Sequence, residues 1–145
     1  MNAYPHQLQE IIDFYEQLSD DEKREALINE AAQAEQYEPA KDEIFSLEDV
    51  RKDTECSDTV GIFVRAASDG TIVFRIQLGE KVQTLTRALS VILCRGLKDC
   101  SAEEIAGLPD AFIPRIVGSE LYRLRNRTVY YVLGRLKEAV ERVGD

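Results

Sequence analysis

Four side chains in this sequence are thiols or imidazoles, the groups that combine nucleophilic or basic character with soft-metal ligation: Cys56, Cys94, Cys100 and the single histidine, His6. Cys56 stands apart. It lies in Asp53-Thr54-Glu55-Cys56-Ser57-Asp58-Thr59, a polar and acidic stretch that runs straight into the apolar segment Val60–Val64. A thiol just ahead of a strand is held by a rigid element and can still reach a reactant. A cysteine nucleophile normally needs a base, most often histidine. His6 sits near the N-terminus, where chains fray, so a Cys–His dyad would require the first helix to fold over the sheet. Metal binding would want cysteine and histidine pairs at close spacing, and the three cysteines contain no C-x-x-C. Cys94 falls inside an apolar helical run and Cys100 just beyond its end, so both read as packing residues.

Charge refines the reading of Cys56. Glu48, Asp49, Asp53, Glu55 and Asp58 surround it in sequence, opposed by Arg51 and Lys52. Anionic neighbours disfavour a thiolate and raise the thiol pKa. The thiol is therefore expected to be an acceptor that a partner activates, and the acidic loop suits a cationic docking surface on that partner. The glycines Gly61, Gly70 and Gly79 fall in strands or turns and form no phosphate loop. Arg123, Arg125 and Arg127 read as a solvated helix start.

The chain has 145 residues, of which 44% are hydrophobic and 31% charged. That fits one globular domain, residues 1–145. A net charge of −9 argues against a nucleic-acid partner. The longest uncharged apolar run, Ala88 to Cys94, is too short to span a bilayer. No basic and apolar leader is visible in the first ten residues, so no signal peptide and no membrane association are expected. An odd cysteine count without such a leader points to reduced thiols in a cytoplasmic protein.

The elements that must position Cys56 follow from periodicity. Leu8, Ile11, Ile12, Tyr15 and Leu18 make one helical stripe within Tyr4–Leu18, with Pro5 in the first turn. Ser19-Asp20-Asp21-Glu22 reads as a capping box that opens a second helix to about Gln36. Leu27, Ile28, Ala31 and Ala34 are expected to face inward, and Pro39 to end the segment. A short edge strand is expected near Glu48–Lys52. Val60, Ile62, Val64 and Ala66, the turn Ser68-Asp69-Gly70, and Ile72, Phe74, Ile76 and Leu78 spell a hairpin with one apolar face. Val82, Leu85, Leu89, Ile92 and Leu93 form a helix that covers it and ends near Gly96. Ser101-Ala102-Glu103-Glu104 is a second capping box, Pro109 is expected to start another short helix, and a last helix is expected from about Leu121 to Val143. The fold class is α+β: two N-terminal helices, a small antiparallel sheet of about three strands, and a helical C-terminal half.

Read together, these features resemble the SufE family, sulfur-acceptor proteins that work with PLP-dependent cysteine desulfurases. Cys56-Ser57-Asp58-Thr59-Val60 stands where the family has Gly-Cys-x-Ser-x-Val-Trp, and a hairpin with Asp69-Gly70 follows. Leu85-Thr86-Arg87-Ala88-Leu89 matches Ile-Val-Lys-Gly-Leu, and Ser101-Ala102-Glu103-Glu104-Ile105 matches Thr-Pro-Glu-Glu-Ile. Leu121 through Arg125 matches Leu-Thr-Pro-x-Arg. Glu55 replaces the family glycine, Gly61 its tryptophan, and Lys81-Val82-Gln83 its Ser-Asp-Ala. The resemblance implies a SufE/IscU-like fold, with Cys56 as the site of a covalent persulfide and a loop tucked against apolar surface when free. It implies binding roles for Asp58 and Arg125, the latter holding or docking the loop. The implied partners are a cysteine desulfurase, which the chain would stimulate, and an iron–sulfur scaffold protein. The chain would have no independent turnover and no metal or cofactor of its own, PLP belonging to the desulfurase. Two other readings stay open: an iron–sulfur scaffold, in which Cys94 or Cys100 converges with Cys56, and a non-catalytic desulfurase-binding adaptor.

Overall fold

A computed structural model describes residues 4–143. Along the chain run helices α1 (His6–Glu16) and α2 (Asp20–Ala31), and then a 3-10 turn (Ala34–Tyr37). Strands β1 (Leu47–Arg51), β2 (Val60–Ala66) and β3 (Ile72–Leu78) follow. The last five elements are α3 (Thr84–Gly96), α4 (Ala102–Ala106), α5 (Phe112–Val117), α6 (Ser119–Val129) and α7 (Tyr131–Val143). The strands form an antiparallel sheet in the order β1-β2-β3. The architecture is α+β with a helical C-terminal half, as the periodicities predict.

The β2–β3 hairpin forms where alternation and turn chemistry agree. Gly70 takes φ 87°, and its N–H donates to the Ala67 carbonyl at 3.0 Å. That positive φ is open to glycine at no steric cost. The register pairs Val60 with Leu78, Ile62 with Ile76 and Val64 with Phe74. The inward side chains of both strands are buried in one apolar cluster with α3 and α7. Ten of the thirteen residues of α3 are buried, which makes it the central helix, packed by α1, α2, α7 and β3.

Both capping boxes are present. Ser19 accepts from the Glu22 N–H at 3.2 Å, and Glu22 accepts from the Ser19 N–H at 2.9 Å. Ser101 and Glu104 repeat the arrangement at 3.2 and 3.0 Å. Replacing Ser19 with alanine removes one half of its box and should cost about 1 kcal/mol of stability. Urea unfolding measures this, and an unchanged midpoint would show that the cap contributes nothing.

Four local expectations are corrected. The second helix stops at Ala31 rather than Gln36, and Ile28 is 58% exposed. Leu27 is buried as expected, and Lys23 is buried with it, its ammonium donating to the Leu18 carbonyl at 2.7 Å. Pro109 lies in a loop; the following helix begins at Phe112, after the Asp110 carbonyl accepts from Ile113. The expected last helix is two helices that meet at Tyr130, and the first of them holds a non-helical residue at Arg125 (φ −131°, ψ 31°). Thr128, Val129, Tyr130, Tyr131 and Val132 are all β-branched or aromatic, types that crowd the preceding helical turn. The fourth concerns the outer sheet face. Gly61 and Phe63 are buried there as well: Phe63 and Val50 lie over Gly61, and Phe45 from the preceding loop stacks edge-on against Phe63 at 5.7 Å. Glu43 then pairs with Arg65 and Arg75 over the same face.

Candidate functional site

Cys56 occupies the connection between β1 and β2, residues 52–59. Its N–H closes a turn onto the Asp53 carbonyl at 3.1 Å. Each side of the cysteine is anchored. After it, the Ser57 hydroxyl donates to the Lys81 carbonyl at 2.6 Å. Asp58 accepts from the backbone N–H groups of Thr59 at 2.8 Å and Lys81 at 2.9 Å. Those two backbone donors, Lys81 first, hold the Asp58 carboxyl below its usual range. Gly79 makes this possible: a Cβ there would collide with the Asp58 carboxylate. Before the cysteine, Asp53 accepts from the Tyr131 hydroxyl at 2.7 Å and from Arg51 Nε at 3.0 Å. Cys56 thus hangs between a post on the β3–α3 connection and a post on α7.

The α7 post is a charged network. Arg135 is 3% exposed. Its Nη2 donates to the carbonyls of Asp49 at 2.7 Å and Val60 at 2.9 Å, tying both strands that flank the loop. Its Nη1 donates to the Tyr131 hydroxyl at 2.6 Å. The Asp49 carboxylate lies 3.4 Å away and that of Asp53 3.7 Å. Arg51 joins Asp49, Asp53 and Glu138 on the outer side. A cleft of about 470 Å³ opens here, lined by Asp53, Glu55, Arg127, Tyr131, Arg135 and Glu138 among others. Another cleft, against Phe14, Glu30 and Arg95, lies by α1.

The Cys56 side chain is buried, with 9% of the residue exposed. Burial pushes its thiol pKa up; the nearby Tyr131 hydroxyl and then the Arg135 charge pull the other way, and Asp53 and Glu55 add to the rise. The direction agrees with the expectation from the acidic loop, but desolvation is the main cause and the carboxylates are secondary. A protonated, covered thiol with a phenol and a guanidinium beside it is suited to accept a group once uncovered.

The other sequence candidates fall elsewhere. Asp58 belongs to the loop's own scaffold. Arg125 is exposed at the kink in α6, and none of the hydrogen bonds that hold the Cys56 loop comes from it; Arg135 is the arginine beside the thiol. His6 is exposed on α1 and pairs with Glu10 at 2.7 Å. Cys94 and Cys100 are buried, and burial pushes their thiols up to about 12 and about 11. Among the described residues, no three His, Cys, Asp or Glu side chains are grouped to hold a metal ion. Sequence reasoning missed Tyr131 and Arg135. The available signal was an arginine on the inward stripe of Val132, Leu136, Ala139 and Val140, where a cation needs a partner.

Comparisons with known proteins bear on the fold. The sequence matches no family model, and no curated protein matches it. The structure is similar to the solution structure of a hypothetical protein from Thermus thermophilus, with a TM-score of 0.73 and 18% identity over 97% of each chain. It is also similar to the N-terminal part of a nitrogen-fixing NifU-like protein from Brucella abortus. That likeness has a TM-score of 0.61 and 14% identity over 82% of this chain and 92% of the other. None of the described helices is long and apolar enough to cross a membrane.

Proposed function

We propose that this chain is a single-domain sulfur-acceptor protein. It takes persulfide sulfur from a PLP-dependent cysteine desulfurase onto Cys56, stimulates that enzyme, and passes the sulfur to an iron–sulfur scaffold protein in the cytoplasm. The observation that carries the reading is Cys56 itself: a covered thiol on a doubly anchored loop between paired strands. The SufE-like order of motifs and the fold shared with a NifU-like protein support the same direction, iron–sulfur cluster assembly.

In the proposed step the Cys56 thiolate attacks the outer sulfur of the desulfurase persulfide. The desulfurase S–S bond breaks as the new one forms on Cys56, and the desulfurase cysteine leaves as a thiolate. The proton given up by Cys56 can go to that thiolate, so the exchange is redox-neutral overall. Asp58 fixes the loop for this step, and the exposed Arg125 is available to the docking partner.

Peptide mass spectrometry after mixing the protein with desulfurase, PLP and free cysteine tests the reading. Sulfur added to the Cys56 peptide, and absent without desulfurase and in Cys56→Ser, is the expected result. No added sulfur on the folded protein with several desulfurases would overturn it. Stimulation that survives in Cys56→Ser would favour the adaptor reading instead.

A further inference from the structure

Arg135 and Tyr131 sit four residues apart on α7, so both face the Cys56 loop from one side of the helix. Arg135 is buried, yet its Nε–H has no hydrogen-bond partner among the described residues. A buried guanidinium donor without an acceptor is costly unless some state of the site supplies one. Both residues line the cleft that also carries Asp53 and Glu55, which come from the loop of Cys56 itself. With Cys56 neutral, the Tyr131 hydroxyl is spent on Asp53, and its oxygen accepts from Arg135.

We propose that Tyr131 and Arg135 form an anion-holding pair for the sulfur of Cys56. When that sulfur is charged, as thiolate or as persulfide, the Tyr131 hydroxyl turns from Asp53 to the sulfur and the Arg135 guanidinium balances the charge. Cys56 is tied to this cluster through Asp53, whose carbonyl accepts the Cys56 N–H and whose carboxylate accepts the Tyr131 hydroxyl; Asp53 and Glu55 from its own loop oppose an anion on the sulfur, and Tyr131 and Arg135 from α7 favour it. Asp49 on β1 faces Arg135 and holds it in place. Tyr131 and Arg135 are positioning residues here, and the bond-making atom remains Cys56 Sγ. The persulfide half of the inference rests on the proposed function, and the thiolate half does not.

The test follows iodoacetamide alkylation of Cys56 against pH, read by peptide mass spectrometry on the protein alone. Tyr131→Phe should raise the alkylation midpoint by about one pH unit, cutting the rate near neutral pH about tenfold with an unchanged circular dichroism spectrum. Asp53→Asn should move the midpoint down, since it removes both a competing acceptor and a negative charge. Adding Tyr131→Phe to Asp53→Asn should raise it again, because the phenol acts on the sulfur directly. An unmoved midpoint in folded Tyr131→Phe would overturn the proposal, as would loss of the phenol's effect in the Asp53→Asn background. Arg135→Lys, if folded, should give a raised midpoint. No desulfurase enters this experiment, so failed sulfur loading with intact midpoint shifts would count against the acceptor function alone.

Discussion

Replacing Arg135 with methionine lowers the free energy of unfolding by about 3–5 kcal/mol. Methionine fills much of the same volume, so little of this loss is cavity. The cost comes from what is left behind. The Asp49 and Val60 carbonyls lose their shared donor, the Tyr131 oxygen loses its own, and the Asp49 carboxylate keeps its charge without its nearest buried cation. Removing one partner from a buried ionic network leaves desolvated groups unmatched, which costs more than never having built the network. The total stability of a domain this size is about 5–15 kcal/mol, so the variant should unfold at a much lower urea concentration with an unchanged slope. A loss under about 1 kcal/mol would mean that water enters and replaces the guanidinium.

Phe112→Ala should be equally damaging, by about 3–5 kcal/mol, for a purely apolar reason. Phe112 is fully buried in α5, where it meets the Tyr4 ring edge-on at 5.4 Å and packs beneath α1. Its removal opens a cavity that the surrounding packed helices relax to fill only in part. The informative comparison is between the two variants at matched loss of stability. Phe112→Ala should leave the alkylation midpoint of Cys56 where it was, whereas Arg135→Met should raise it. Equal shifts in both would trace the thiol's properties to general loosening rather than to the cation beside it.

Local rules made much of the fold legible. Alternation at Val60–Ala66 and Ile72–Leu78 located the hairpin, and two Ser-x-x-Glu boxes located two helix starts, because each of these signals acts within a few residues. What was not legible depended on distant partners. Gly61 and Phe63 read as an outer sheet face; Phe63 and Val50 close over Gly61, and the approach of Phe45 covers Phe63. Thr128 to Val132 reads as the middle of a long helix, and the structure ends one helix at Val129 and starts α7, which packs on β2, at Tyr131. The place of Cys56 just ahead of β2 was legible because a thiol ahead of a strand is a local pattern. Arg135 lies 79 positions further along, so its place beside that thiol is a product of tertiary packing. Arg125, the arginine that alignment by motif favoured, lies on the solvent side of its helix for the same reason.

The covered state of Cys56 turns the residue into a gauge of its own loop. A reagent that reaches the sulfur only when the loop lifts modifies it at a rate proportional to the uncovered fraction, as amide exchange reports local opening. The ratio of that rate to the rate for an unhindered thiol is a protection factor, and each tenfold of protection corresponds to about 1.4 kcal/mol of closure. Because the covered form dominates, the midpoint of the pH curve reports ionisation under the loop, while the plateau at high pH reports opening. Any protein that draws the sulfur out must supply the closure energy from its own contacts, so its measured affinity is weakened by that same factor.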